Sequence, residues 1–261
     1  MNISQNDIFK FAPVNEFTYR NLILSQLWFS PPSSMNDQLE GLIKVKNPDF
    51  SPSLKGFKDF VKSNPSRNYY LWKAEEFIKP GNFLDFFIEN WFTLEINEYM
   101  INCFSRVPDQ PLMWAHYANK HSGLCLIYDK NKILEGLNEI HNSFSFCSID
   151  YDNQPIIELY ETNGTIDYKS NIPIISTKSV HWKYEDEVRI YSKRNMYLDK
   201  SGSTISIYKS ALKGVIYGAR MDEEDIDAVS KIFQNDPFYE NIIEYNANLD
   251  YKNGGIFFTE D

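Results

Sequence analysis

Leu124-Cys125-Leu126-Ile127-Tyr128 is an uninterrupted apolar run. With no polar residue alternating through it, the run reads as a buried strand. Just beyond it, Ile133, Leu134, Leu137 and Ile140 recur at helical spacing, which makes Lys130 to Ile140 a helix with one apolar face. Upstream, Ile101 to Ser105 is a short apolar strand, and Leu112 to Asn119 suits a helix of about two turns. Strand signals then dominate to the end of the chain: Phe146 to Tyr151, Glu187 to Tyr191, Thr204 to Tyr208, Gly214 to Tyr217, Ile242 to Tyr245 and Ile256 to Phe258. A helix with Ile226, Val229 and Phe233 on its apolar face interrupts them, capped by Asp222. Strands in succession predict an α+β fold, with a mixed, mainly antiparallel sheet split into two packed halves.

Toward the N-terminus, Ile8-Phe9-Lys10-Phe11 reads as an opening strand and Phe17 to Gln26 as a helix. Leu27 to Ser30 is a further strand, stopped by Pro31-Pro32. Residues 41–100 differ in character. Turn residues punctuate 41–56 and 63–68, and helical patterns fill Phe57 to Lys62, Tyr69 to Ile78 and Phe83 to Tyr99. The apolar stripe of Phe83, Phe86, Phe87, Trp91 and Leu94 marks a core helix. This region reads as a helical insertion within one domain spanning residues 1–261.

Aromatic residues make up 16% of the chain, enough apolar area for a core, so disorder is excluded. No stretch approaches the roughly 18 apolar residues of a membrane span, and Met1 to Asp7 lacks the regions of a signal peptide. A cytoplasmic location is the expectation. Cys103, Cys125 and Cys147 are too widely spaced for a disulfide framework, and the histidines show no metal-ligand spacing, so no metal is expected. The net charge of −10 disfavours a broad phosphate-binding surface. Glycine-rich phosphate loops and the Gly-x-Ser-x-Gly elbow are absent, which removes the common dinucleotide, kinase and hydrolase readings.

Three constellations can carry chemistry. In Glu185-Asp186-Glu187-Val188-Arg189-Ile190, strand alternation sets Glu185, Glu187 and Arg189 on one side. Paired carboxylates beside a cation can hold one acid ionised and shift the other. By spacing alone, an ordinary ion pair on a solvated edge strand explains them at least as well. Next, Ser105 ends a strand, and Met113, His116 and Tyr117 share a helix face. A hydroxyl, an imidazole and a phenol can bind a polar ligand, or they can satisfy backbone groups in a core. Lastly, Lys10-Phe11 and Asn36-Asp37 are individually explained by a surface charge and a turn.

Taken together, these blocks resemble a bacterial family known as domain of unknown function 2971. The resemblance rests on Leu27-Trp28-Phe29-Ser30-Pro31 with Asn36-Asp37, on Cys103-Phe104-Ser105 with Met113 to Ala118 and Gly123, and on Lys178, Trp182, Tyr184, Glu185, Glu187 and Arg189. Leu212 to Gly218 adds to it. More distantly, the order of blocks is similar to that of ADP-ribosyltransferases. That similarity implies an ADP-ribosyltransferase-like sheet, NAD as substrate, and a toxin or phage-defence setting with a protein or nucleic-acid acceptor and an antitoxin or other defence-system partner. It implies Glu187 as the acid that stabilises the ribose cation, Glu185 as the residue that positions or deprotonates the acceptor, and Ser105 as a hydrogen-bond support for Glu187. Tyr117 and Phe104 would stack the nicotinamide. Lys10, Phe11, His116 and Arg189 complete the implied NAD contacts. Two readings of other classes stay open: a non-catalytic sensor or interaction module, and a metal-dependent nuclease using Glu185, Glu187 and Asp37.

Overall fold

The computed structural model describes residues 1–37, 43–79, 81–141, 143–170, 173–193 and 201–260. The chain divides into two compact units. Met1–Pro31, Met100–Ile149 and Val180–Asp261 form the first, and Pro32–Tyr99 with Asp150–Ser179 the second.

The first unit is built on an eight-stranded sheet. Its order is Gly255–Glu260, Ile243–Asp250, Leu212–Tyr217, Leu124–Asp129, Asp7–Ala12, Tyr99–Ser105, Glu187–Lys193 and Ser145–Ser148. Leu212–Tyr217 runs parallel to Ile243–Asp250, while Asp7–Ala12 is antiparallel to both its neighbours and Ser145–Ser148 is antiparallel to Glu187–Lys193. This is the mixed, mainly antiparallel α+β arrangement that the pattern predicts. A separate ribbon pairs Gln26–Phe29 with Ser203–Ser206.

Alternation along the strands sorts the core between the two faces of the sheet. Ile8, Phe104, Leu126, Tyr128, Val188 and Val215 share one buried cluster with Ile133 and Leu137 of helix Lys130–His141 and with Val229 and Phe233 of helix Glu223–Gln234. Phe9, Phe11, Cys125, Ile127 and Ile216 lie in the other cluster, beneath Met113, Trp114 and Ala118. Helix Pro111–Tyr117 thus covers the second face with a tryptophan whose indole N–H donates to Pro108 O at 2.7 Å.

One junction in the sheet is narrow. Asp7–Ala12 pairs with Leu124–Asp129 along its whole length, but its register with Tyr99–Ser105 holds the single pair Phe9↔Ser105. Past that pair the Lys10 ammonium donates to the Asn102 side-chain oxygen and to Cys103 O, both at 2.8 Å. A charged donor thereby serves a backbone acceptor that the parting strands leave unpaired. Where two packed halves are predicted, the strands stay in one hydrogen-bonded order that thins to this contact.

The second unit carries the helical segments expected in 41–100, of which residues 41, 42 and 80 lie outside the described residues. Helix Leu54–Lys62 and the short helices from Pro65 to Ile96 surround an aromatic core. Phe86–Phe92 forms a π-helix, in which residue i bonds to i+5. That wider turn brings Phe86 toward Trp91 and Phe87 toward Phe92, with ring centroids 6.1 and 5.8 Å apart. All of these rings are buried. The unit also holds a three-stranded sheet that the sequence reading does not foresee. Its order is Lys44–Lys46, Ile156–Thr162 and Thr165–Ser170.

Candidate functional site

Ser105 closes its strand fully buried, with its hydroxyl donating to Glu185 O at 2.7 Å. The next residue continues the seam: Arg106 N–H donates to Asp186 O at 3.0 Å, and its guanidinium bonds the Asp186 carboxylate at 2.8 Å. The end of the Tyr99–Ser105 strand is therefore fastened to residues 185 and 186.

Glu185 is not part of the strand that follows it. Val180–Glu185 is a 3-10 helix, Asp186 has a left-handed φ of 41°, and the strand begins at Glu187. The predicted alternation of Glu185, Glu187 and Arg189 on one strand face thus holds only for Glu187 and Arg189. The physical reason is Asp186, whose short polar side chain tolerates a left-handed backbone and so turns the chain.

Tyr117, the last residue of helix Pro111–Tyr117, donates its phenol to Glu185 Oε1 at 2.6 Å. The helix ends in an unusual turn. Asn119, Lys120 and His121 all have positive φ, at 45°, 56° and 72°. Each non-glycine residue in that region costs about 1–2 kcal/mol, so the turn must be held from outside. It is held by Gly123 N–H on Ala118 O at 2.8 Å, and by Gly218 N–H on Gly123 O at 2.9 Å. A Cβ at Gly218 would sit 2.2 Å from His121 O, so only glycine allows the strands to approach this closely.

Glu187 and Arg189 form a buried ion pair. Arg189 Nε donates to Glu187 Oε1 at 2.7 Å, and its Nη2 reaches Oε2 at 3.3 Å. The residues are 2% and 0% exposed, so the solvated edge-strand reading does not describe them. Two thiols flank the pair. Burial pushes Cys103 well up, with the Glu187 carboxylate adding to the rise and Arg189 and Lys10 opposing it. Cys147, opposite Arg189 in the sheet register, is pushed up to about 11 by burial, against the pull of Arg189. Lys10 is pushed down by burial, with Cys103 and Glu187 favouring its charged form. The Glu187 charge therefore faces Arg189 and Lys10.

Ser105, Tyr117 and Glu185 come together, and Glu187 and Arg189 lie immediately along the chain. Other expected contacts do not. Phe11 is buried edge-on to Trp114, with centroids 5.2 Å apart. Phe104 projects into the opposite face from Ser105, where it packs on Tyr128 beneath the Lys10 ammonium. Adjacent strand residues point to opposite faces, so Phe104 cannot join Tyr117 in stacking a ring. Ser105 bonds the Glu185 carbonyl and Val107, not the Glu187 carboxylate that it was expected to support. His116 is exposed and neighbours Tyr184. Asn102, which the sequence reading passed over, receives Lys10 and donates to Trp28 O at 3.0 Å. Its signal was its place in an otherwise apolar strand.

Among the described residues, no group of three or more His, Cys, Asp or Glu is placed to hold a metal ion. Asp37 belongs to the second unit. No helix among them is long and apolar enough to cross a membrane.

Residues 113–190 match the model of a family described as Protein of unknown function (DUF2971). The family resemblance is thus shown over the segment that carries Tyr117, Glu185, Glu187 and Arg189. No curated protein and no solved structure matches the chain.

Proposed function

We propose that the Tyr117–Glu185 site cleaves the N-glycosidic bond of NAD and passes ADP-ribose to an acceptor or to water. The observation that carries this reading is the meeting of three segments distant in sequence. The Ser105 hydroxyl fixes the Glu185 backbone at 2.7 Å, and the Tyr117 phenol fixes its carboxylate at 2.6 Å. A buried carboxylate oriented at both ends suits a reaction whose transition state carries positive charge on the ribose.

In this reaction the glycosidic electron pair leaves with nicotinamide, and the ribose C1 takes on cationic character. Of the two acids, we assign this role to Glu185, which the Ser105 hydroxyl and the Tyr117 phenol orient, whereas Glu187 is held by Arg189. The acceptor then attacks C1 with its lone pair and gives up its proton, which the Glu185 carboxylate can take. Glu187 becomes a positioning residue that fixes the start of its strand through Arg189. The setting we propose is the bacterial cytoplasm, in a toxin or phage-defence role, with a protein or nucleic acid as acceptor.

A second reading is favoured by the same buried ion pair. With Glu187 neutralised, the domain binds a ligand or partner without turning it over. Nicotinamide release from NAD separates the two. Release by the wild type that falls in Glu185→Gln supports the enzyme, and no release at micromolar protein over hours supports the binding module.

A further inference from the structure

Helix Glu16–Leu24 carries apolar residues on both of its sides. Leu22 is buried beneath it together with Thr18. Phe17, Ile23 and Leu24 lie on the other side, where Phe17 is 66% and Ile23 53% exposed. A helix that is apolar all round belongs in an interior, yet this one has only one side covered. Large apolar side chains gathered on one short helix form a patch of the kind that marks an interaction surface.

The patch also carries charge. At about 100° per residue, Glu16 and Arg20 follow one another along the middle of the exposed side, one turn apart. Ile23 then lies on one side of them, and Leu24 and Phe17 on the other. Glu16 and Arg20 are exposed, and neither makes an ion pair or a side-chain hydrogen bond among the described residues. A net charge of −10 makes copies of the chain repel one another. On this face an acid stands beside a base, so these side chains together carry no net charge.

The backbone under the face is held from several directions. The Asn15 side chain accepts the Thr18 N–H at 2.9 Å, and the Thr18 hydroxyl donates to Pro13 O at 2.7 Å. The Tyr19 phenol donates to the Asp225 carboxylate at 3.1 Å, and the Tyr239 phenol donates to Leu22 O at 3.0 Å. A surface fixed in this way loses little freedom on binding.

We propose that this face is an interface between two copies of the chain, related by a two-fold axis that sets the two helices antiparallel. Charge complementarity selects a second copy as the occupant. A two-fold axis across the helix reverses the partner, so Glu16 of each copy meets Arg20 of the other. One surface thereby supplies both halves of two ion pairs, whereas a purely basic or purely acidic partner would satisfy one charge and oppose the other. The apolar residues on either side of the charged row supply the burial.

Sedimentation velocity of the full chain over about 1–100 μM tests this, a span in which a modest interface passes from monomer to dimer. The wild type should move toward the mass of a dimer as concentration rises. Arg20→Glu and Glu16→Arg each set like charges together at both symmetry-related places, so each should weaken the dimer by about tenfold or more. Combining the two restores opposite charges, and the double variant should dimerise like the wild type. An equimolar mixture of the two single variants should form a mixed dimer for the same reason. Phe17→Ser should weaken the dimer through lost burial, and circular dichroism of each variant checks the fold. A chain that stays monomeric over the whole range overturns the proposal. So does a dimer that neither charge reversal weakens, or one that both weaken and neither the double variant nor the mixture restores.

Discussion

The Tyr117 phenol donates to Glu185 at 2.6 Å, joining the end of a helix to the turn before the Glu187 strand. Tyr117→Phe deletes that donor and almost nothing else. Removing a partner from a buried carboxylate costs about 1–3 kcal/mol, so the urea midpoint should fall with an unchanged slope. If the phenol orients the reacting acid, nicotinamide release should also fall by about tenfold, or ~1.4 kcal/mol. A folded Tyr117→Phe that matches the wild type in both stability and rate removes Tyr117 from the site.

The two acids should separate when each is changed to glutamine. Glu185→Gln keeps the shape and loses the charge, so the rate of NAD cleavage should drop about a hundredfold, or ~2.7 kcal/mol. Affinity for NAD should change little, because the ground state carries less charge on the ribose. Glu187→Gln instead removes the carboxylate to which the buried Arg189 guanidinium donates. Breaking such a pair from one side costs about 3–5 kcal/mol, so the main effect should be on the melting temperature. The reverse pattern, with a stable Glu187→Gln and no activity, gives the chemistry to Glu187.

Much of this arrangement was readable beforehand, for identifiable reasons. Periods of two and of 3.6 gave the strands and helices of the first unit, and the helical spacing marked Tyr117 as a site candidate. The same period of two separates Phe104 from Ser105, and applying it strictly would have removed Phe104. Glu185 was harder, because nothing local distinguishes an aspartate in a strand from Asp186 with its φ of 41°. The hairpin joining Ile156–Thr162 to Thr165–Ser170 carried its own signal. Asn163-Gly164 is the favoured pair for a two-residue turn, and both residues have positive φ. What no local pattern supplies is the parallel pairing of Lys44–Lys46 with residues more than a hundred positions away. Tertiary packing alone sets that register.

Cys147 offers a chemical test of the surroundings of the ion pair. Its thiol is pushed up to about 11 from an ordinary 9.0, chiefly by burial. Only the thiolate reacts, so at pH 8 the reactive fraction should be on the order of a hundredfold below that of a free thiol. Linkage has the same origin. An acid whose folded pKa is raised keeps its proton longer when folded, so stability is unaffected below pH 9 and is lost as pH rises toward 11. Cys147→Ala should flatten that part of the alkaline decline. Iodoacetamide labelling of Cys147 at the rate of a free thiol, followed by mass spectrometry, contradicts the raised thiol pKa.

Arg67 anchors the second unit. Its guanidinium bonds Glu95 and Glu98 at 2.9 Å each and Trp91 O at 3.3 Å, and it lies 4.2 Å from the Trp91 ring. Both Arg67 and Glu95 are buried, so Arg67→Ala takes the guanidinium away from a carboxylate held out of water, at a cost of about 3–5 kcal/mol. Arg67→Lys should recover little, since an ammonium has no planar fork to reach both acids and cannot stack on the indole in the same way. The pair itself is separable from this penalty. In Arg67→Met with Glu95→Gln the buried charge is gone from both sides, so the double variant should be more stable than the sum of the single effects implies. Denaturant unfolding of the wild type, the two single variants and the double variant gives the coupling. Strict additivity would mean that Arg67 acts through its other contacts, with Glu98 and Trp91, and not through Glu95.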